Sequence, residues 1–181
     1  MGTAFLFPGQ GSQYPGMARE FAEIYPKFAE IFVTAKEILG FDLKEVCYNG
    51  TPEELSKTIV AQPAIMAASI ICCEAAKARG LNFTAVAGHS LGEYAAMVVS
   101  GMLTLEDGFK VIKARAEAME KASRIKPGAM AAVVGITSDE VESICTTLND
   151  YVVPVNYNSP TQTVIAGTIE GIDRAVEKFT A

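Results

Sequence analysis

The sequence is poor in the residues that bind metal ions. It has one histidine and four cysteines among 181 residues, and the cysteines do not follow the paired spacing of a metal site. Two of them are adjacent on a predicted helix, where their side chains point to different faces. We therefore expect no metal and no cofactor, and reduced, mostly packed thiols at Cys47, Cys72, Cys73 and Cys145.

Positive charge is also scarce. Fifteen Lys and Arg residues face 21 Asp and Glu residues, for a formal net charge of -6. Nucleic acids and anionic membranes attract cationic surfaces, so we expect neither as a partner. The first seven residues lack a charged n-region and meet Pro8-Gly9 at once, unlike a signal peptide or a spanning helix. We expect a cytoplasmic protein.

Half of the residues are hydrophobic, and no repeat or long linker interrupts the chain. Ala4–Phe7 and Ala85–Ala87 are short apolar runs that predict two buried strands. Small, apolar residues from Gln62-Pro63 to Arg79 predict a long buried helix, and Leu91–Val99 predicts a helix after the second strand. This alternation of strand and helix indicates an α/β fold with a parallel sheet.

The pattern changes after Pro127-Gly128. The following residues predict the order β-α-β-β-α, one strand short of a complete ferredoxin-like unit. We therefore predict two lobes: residues 1–126 form the N-terminal part of a large lobe, and residues 127–181 form an incomplete ferredoxin-like small lobe.

The turn Gly88-His89-Ser90-Leu91-Gly92 lies between a predicted strand and a predicted helix, which is the context of a nucleophile elbow. Such a turn presents Ser90 as the nucleophile of an acyl transfer, and the Leu91 N–H would stabilise the oxyanion. The backbone N–H of Gln10, in the glycine-rich loop after the first strand, is the candidate second donor. The alternative is an ordinary tight turn that contains a serine.

Arg115 interrupts the apolar face of a helix predicted from Leu105 to Ala122. A buried, unpaired charge costs several kcal/mol, so Arg115 needs a partner. Spacing alone favours an internal salt bridge to an acidic residue. The functional alternative is bidentate recognition of a substrate carboxylate. The face that holds Arg115 comprises Gly108, Val111, Ile112, Arg115, Ala118, Met119 and Ala122.

Six separated motifs, taken in order, resemble the malonyl-CoA:acyl carrier protein transacylase family, and the resemblance spans essentially the whole chain. They are Phe7-Pro8-Gly9-Gln10-Gly11-Ser12-Gln13, Gln62-Pro63-Ala64, Gly88-His89-Ser90-Leu91-Gly92-Glu93-Tyr94, Arg115, Gly128-Ala129-Met130-Ala131-Ala132 and Asn156-Tyr157-Asn158-Ser159-Pro160.

The resemblance implies a hydrolase-like acyltransferase lobe and a ping-pong transfer of malonyl from coenzyme A to acyl carrier protein, in bacterial fatty acid biosynthesis. It implies Ser90 as nucleophile, Gln10 and Leu91 as oxyanion donors, and Arg115 as the clamp on the malonyl carboxylate. Substrate contacts are also expected at Gln10, His89, Met119 and Asn156. A trans-acting polyketide acyltransferase, a serine esterase or thioesterase, and a non-catalytic acyl-CoA-binding module are the alternatives.

The family's general base is a histidine on or after the last strand of the small lobe. The one histidine here, His89, precedes the nucleophile, where packing or loop bonding is favoured over base catalysis. We therefore expect this chain to be a fragment and, on its own, a poor transferase, because a general base contributes about 10²- to 10⁴-fold. We also expect exposed apolar surface through which it associates.

Overall fold

A computed structural model describes residues 2–180. The chain divides into two compact units, one ending at Glu120 and the other beginning at Lys121. The predicted lobe boundary after residue 126 stays a prediction.

The first unit contains a parallel pair of strands, β1 (Ala4–Phe7) and β2 (Ala85–Gly88). Phe7 lies opposite Gly88 in the register. Because the strands are parallel, their carboxyl ends meet at one edge, and the loops that follow them are neighbours. The predicted parallel pairing is confirmed.

The prediction that both strands are buried is wrong. Leu6 is 76% exposed, and β2 alternates between exposed and half-buried residues. Within residues 2–180, β1 and β2 pair only with each other. Each strand therefore keeps an unpaired edge, and an apolar run does not reveal whether both of its faces are covered.

Helices supply the rest of the first unit. Gly40, with a φ of 84°, ends the second helix, and a capping box between Thr51 and Glu54 starts the fourth. The helices are α1 (Arg19–Ile24), α2 (Ala29–Leu39), α3 (Leu43–Asn49), α4 (Pro52–Ser56), α5 (Thr58–Ala78), α6 (Gly92–Val99) and α7 (Leu105–Ile125), with a 3-10 turn at Pro26–Phe28. The last residues of α7, after Glu120, belong to the second unit.

Helix α5 is the central element of this core. It begins at Thr58 rather than at the predicted Gln62, so Pro63 lies inside the helix. The buried side chains of Val60 and Ala61 hold the turn before the proline in place. Helix α5 is long and apolar enough to cross a membrane, with a mean hydropathy of 1.7, but 72% of that stretch is buried in the protein. The prediction that this helix is buried is therefore confirmed.

The second unit contains β3 (Ala129–Val134), α8 (Ser138–Thr146), β4 (Val152–Ser159), β5 (Gln162–Gly167) and α9 (Ile169–Thr180). Strand β5 lies between β3 and β4 and is antiparallel to both. The predicted β-α-β-β-α order is therefore confirmed. The unit has its own core of Val133, Val141, Cys145, Val152, Ile165, Ile172 and Ala175.

All four cysteines are free thiols, and three of them are buried, as predicted. Burial raises the pKa of Cys47 to about 12. This thiol therefore stays protonated and packs as a small apolar side chain.

Candidate active site

Ser90 lies in a strained turn between β2 and α6. Its φ is 54°, in the left-handed region that non-glycine residues adopt at a cost and that is common at functional sites. The backbone N–H of Gly92 donates to His89 O at 3.0 Å, and that of Glu93 donates to Ser90 O at 3.2 Å. The chain thus turns from strand into helix at the serine, as the elbow pattern predicts.

The glycines on either side of Ser90 allow the backbone to approach itself closely. A Cβ added to Gly88 would lie 2.0 Å from the carbonyl carbon of Gly92, and one added to Gly92 would lie 2.3 Å from Phe7 O. Both contacts are with backbone atoms, which cannot rotate away. The Gly-x-Ser-x-Gly spacing is therefore a steric requirement of this turn.

The loop after β1 is adjacent to the elbow. The His89 N–H donates to Phe7 O at 3.0 Å, and His89 Nδ1 lies 2.7 Å from where a Cβ on Gly9 would be. The loop that carries Gln10 therefore packs against the residue before Ser90. The oxyanion roles of Gln10 and Leu91 and the loop-packing role of His89 stay predictions.

Arg115 reaches the serine from α7. Its Nη2 donates to Ser90 Oγ at 2.9 Å, and its Nη1 donates to Gln62 Oε1 at 2.6 Å. The Arg115 Cζ also lies 5.7 Å from the centre of the Tyr94 ring, within range of a cation–π contact. Three elements, α5, α6 and the elbow, thus hold one guanidinium beside the serine.

The internal salt bridge that spacing alone favours for Arg115 is absent from the described part of the chain, and that interpretation is wrong. Among the described residues, the partners of Arg115 are an amide, a hydroxyl and an aromatic ring. None of them neutralises the guanidinium, so its positive charge is available to an anion.

Gln62 is the site residue that sequence reasoning missed. Its side chain is fully buried, with Oε1 accepting from Arg115 and Nε2 at 3.2 Å from Met119 Sδ. The sequence analysis used Gln62 as a helix start and as part of a family motif. The signal that could have found it was an amide on a helix that is otherwise almost entirely apolar.

Two other predicted substrate contacts, Met119 and Asn156, are exposed. Met119 touches Gln62 but is 44% exposed, and Val111 is 39% exposed. The predicted apolar face of α7 is therefore only partly buried. Gly108 and Ile112 of that face lie in the core, and the other buried residues of the helix are Phe109 and Ala116. Asn156 is an exposed residue of β4 in the second unit, and its role stays a prediction.

An elbow serine at the end of a parallel strand is typical of enzymes that transfer acyl groups through a serine. The sequence model of the acyl transferase domain family matches residues 4–181, so the chain belongs to this family.

Its relatives include the malonyl CoA-acyl carrier protein transacylases of Escherichia coli K12, 41% identical over 95% of this chain, and of Bacillus subtilis 168, 40% identical over 96%. The chain spans 57% and 56% of the lengths of these two proteins.

Solved structures agree with this family and fold. The malonyl CoA-acyl carrier protein transacylase of Coxiella burnetii superposes with a TM-score of 0.90 at 40% identity, covering 98% of this chain and 57% of that one. A malonyl-transacylase in complex with a type II polyketide acyl-carrier protein gives a TM-score of 0.88 at 36% identity, covering 98% and 58%. The α/β class with a hydrolase-like lobe is therefore confirmed.

Proposed function

We propose that this chain carries the acyl-serine centre of a malonyl-CoA:acyl carrier protein transacylase that acts in fatty acid biosynthesis in the cytoplasm. The observation that carries the proposal is the 2.9 Å hydrogen bond from Arg115 Nη2 to Ser90 Oγ. It places a cation beside the nucleophile, where an acyl group with a terminal carboxylate would be held. The names of the related transacylases support the same substrate and carrier.

The first half-reaction transfers malonyl to the protein. Ser90 Oγ attacks the thioester carbonyl carbon, an O–C bond forms, and the C–S bond breaks. Coenzyme A leaves as a thiol that has gained the proton lost by Ser90. In the second half-reaction the phosphopantetheine thiol of the carrier attacks the carbonyl carbon of the serine ester. A C–S bond forms, the C–O bond to Ser90 breaks, and Ser90 Oγ regains the proton that the thiol loses.

Each attack places negative charge on the carbonyl oxygen. The Leu91 N–H, at the start of α6, and the Gln10 N–H, in the loop packed against His89, are the donors that we propose for this oxyanion. Backbone amides suit the role because they are held in position before the reaction and need no reorganisation. The positive end of the α6 helix dipole also stabilises this negative charge.

Arg115 distinguishes a malonyl transferase from a serine esterase, which has the same elbow. A planar guanidinium can bind the malonyl carboxylate through two parallel N–H donors. Its hydrogen bond to Ser90 places that carboxylate within one acyl length of the nucleophile. A simple esterase has no need for an uncompensated cation at this point.

Mass spectrometry of the protein encoded by the complete gene, after exposure to malonyl-CoA, tests the proposal. We expect a malonyl ester on Ser90, its loss on addition of acyl carrier protein, and the appearance of malonylated carrier. The Ser90→Ala variant should form no ester. Rapid release of free malonate without acylated carrier would instead show that the protein is a thioesterase. If no ester forms on Ser90, then Ser90 is not the nucleophile.

A further inference from the structure

We propose that Gln62 is a positioning residue that sets acyl selectivity by holding Arg115 at the nucleophile without neutralising its charge. This inference rests on the proposed malonyl transfer and adds a residue to it. The juxtaposition that carries it is a fully buried amide oxygen 2.6 Å from Arg115 Nη1.

Burial makes the Gln62 amide costly unless it is well bonded. Its side chain is fully buried on α5, next to the buried Ala61 and Pro63, and a buried amide without a hydrogen-bond partner destabilises the fold. The strong bond that Gln62 makes is to Arg115, since its other contact is to Met119 Sδ, a weak acceptor. An apolar residue would suit this core position better if packing were its only role.

The bond from Arg115 to Gln62 orients the guanidinium. A guanidinium is planar and has five N–H donors in a rigid fork. Gln62 takes a donor on Nη1 and Ser90 takes one on Nη2, so two bonds at different nitrogens restrict rotation of the plane. The remaining donors are thereby aimed before any substrate binds, which lowers the entropy lost on binding.

The neutrality of Gln62 is the second part of the proposal. A carboxylate at the same place would form an ion pair with Arg115 and would compete with the malonyl carboxylate for it. An amide supplies the same acceptor geometry but leaves the full positive charge for the substrate. Gln62 thus favours acyl groups with a terminal carboxylate and should have little influence on acetyl.

Two variants test the roles of charge and of hydrogen bonding. Gln62→Glu keeps the shape and adds the competing charge, whereas Gln62→Met keeps similar bulk and removes the acceptor. We expect both to lower the efficiency of Ser90 acylation by malonyl-CoA, by about 10- to 150-fold for Gln62→Glu, the equivalent of one charged hydrogen bond. The loss should come mainly from a higher half-saturating malonyl-CoA concentration, while acylation by acetyl-CoA stays within about threefold of wild type.

The measurement is the rate of Ser90 ester formation from each acyl-CoA, followed by intact-protein mass spectrometry on the protein encoded by the complete gene. Ser69→Ala is the matched control, because Ser69 is another buried polar residue of α5 and is outside the contacts of Arg115. It should leave the malonyl-to-acetyl ratio unchanged.

A double-variant cycle separates positioning from folding. If Gln62 acts through Arg115, then the neutral Gln62→Met variant should have little further effect on malonyl acylation in an Arg115→Ala background. Equal losses with malonyl-CoA and acetyl-CoA, or an undiminished effect in that background, would overturn the positioning role while malonyl transfer itself stands. A wild-type protein that forms no malonyl ester would overturn both proposals.

Discussion

At the scale of single residues, Arg115 lies within hydrogen-bond distance of Ser90, so its removal tests acyl selectivity directly. We expect Arg115→Ala to lower malonyl acylation by about 10- to 150-fold, because charge-assisted bonds to the carboxylate are lost. Acetyl acylation should survive or improve. The check is the ratio of the two rates by mass spectrometry, and equal losses for malonyl and acetyl would make Arg115 a structural residue.

The left-handed φ of Ser90 predicts an unusual order of stability. Ser90→Gly should be more stable than Ser90→Ala by about 1 kcal/mol, because glycine adopts a positive φ without strain and alanine does not. Urea unfolding of the two variants measures the difference. Ser100, with a φ of −76°, is the control site, where alanine should be the more stable replacement. The same order at both sites would contradict a strained elbow.

His89 tests whether the residue before the nucleophile acts as a base. Its Nδ1 lies 2.7 Å from where a Cβ on Gly9 would be, next to the loop that carries Gln10. We therefore expect His89→Asn to slow malonyl acylation of Ser90 by less than about tenfold, without changing its pH profile. Loss of a general base would cost about 10²- to 10⁴-fold. A loss of that size, with a flattened pH profile, would assign His89 as the base.

The sequence predicted Arg115 as a site residue but not its partner. A charge on an apolar helix face is visible in the pattern, because it breaks the hydrophobic period. The contact with Gln62 is between residues 53 positions apart, and it exists only because α5 and α7 pack together. Helical periodicity carries no information about which buried side chain of one helix meets a given residue of another.

At the scale of elements, strand and helix order followed from short-range signals such as the capping box at Thr51 and the elbow glycines. The burial of a strand did not follow from such signals, because it depends on which other segments of the protein cover that strand. The start of α5 was misplaced for a related reason. Proline is common in the first turn of a helix, which suggested a start at Gln62. Here the helix begins at Thr58, before Pro63, because the buried side chain of Val60 packs in the core.

The attachment of α9 in the second unit should depend on pH. Arg174 on α9 forms a salt bridge with Asp150, which precedes β4, and this hydrogen bond lowers the pKa of Asp150. A lowered folded-state pKa stabilises the fold above the unfolded pKa, near 4, and that contribution is lost as pH falls through the folded value.

Urea-unfolding midpoints measured from neutral pH down to about pH 2 check this dependence. Asp150→Asn should unfold more easily than wild type at neutral pH and should lose less stability on acidification. If the two proteins show parallel pH curves, Asp150 does not contribute to the acid sensitivity.

At the scale of the whole molecule, the first unit exposes an apolar groove beside β1, which we call the β1 groove. Its volume is about 500 Å³, and its lining includes Phe5, Leu6, Tyr14, Ile65, Ala68 and Cys72. In the described part of the chain, β1 is paired along one edge only. An unpaired strand edge next to apolar side chains favours association with another chain.

We therefore expect this chain to self-associate through the β1 groove as its concentration rises, and Leu6→Lys to suppress that association. Leu6 is 76% exposed, so the lysine should be tolerated by the fold while its charge opposes edge-to-edge pairing. Sedimentation velocity over a range of concentrations is the measurement. Leu81→Lys is the control, since Leu81 is 59% exposed and is outside the groove. A wild-type chain that stays monomeric, or equal suppression by both variants, would contradict a specific role for β1.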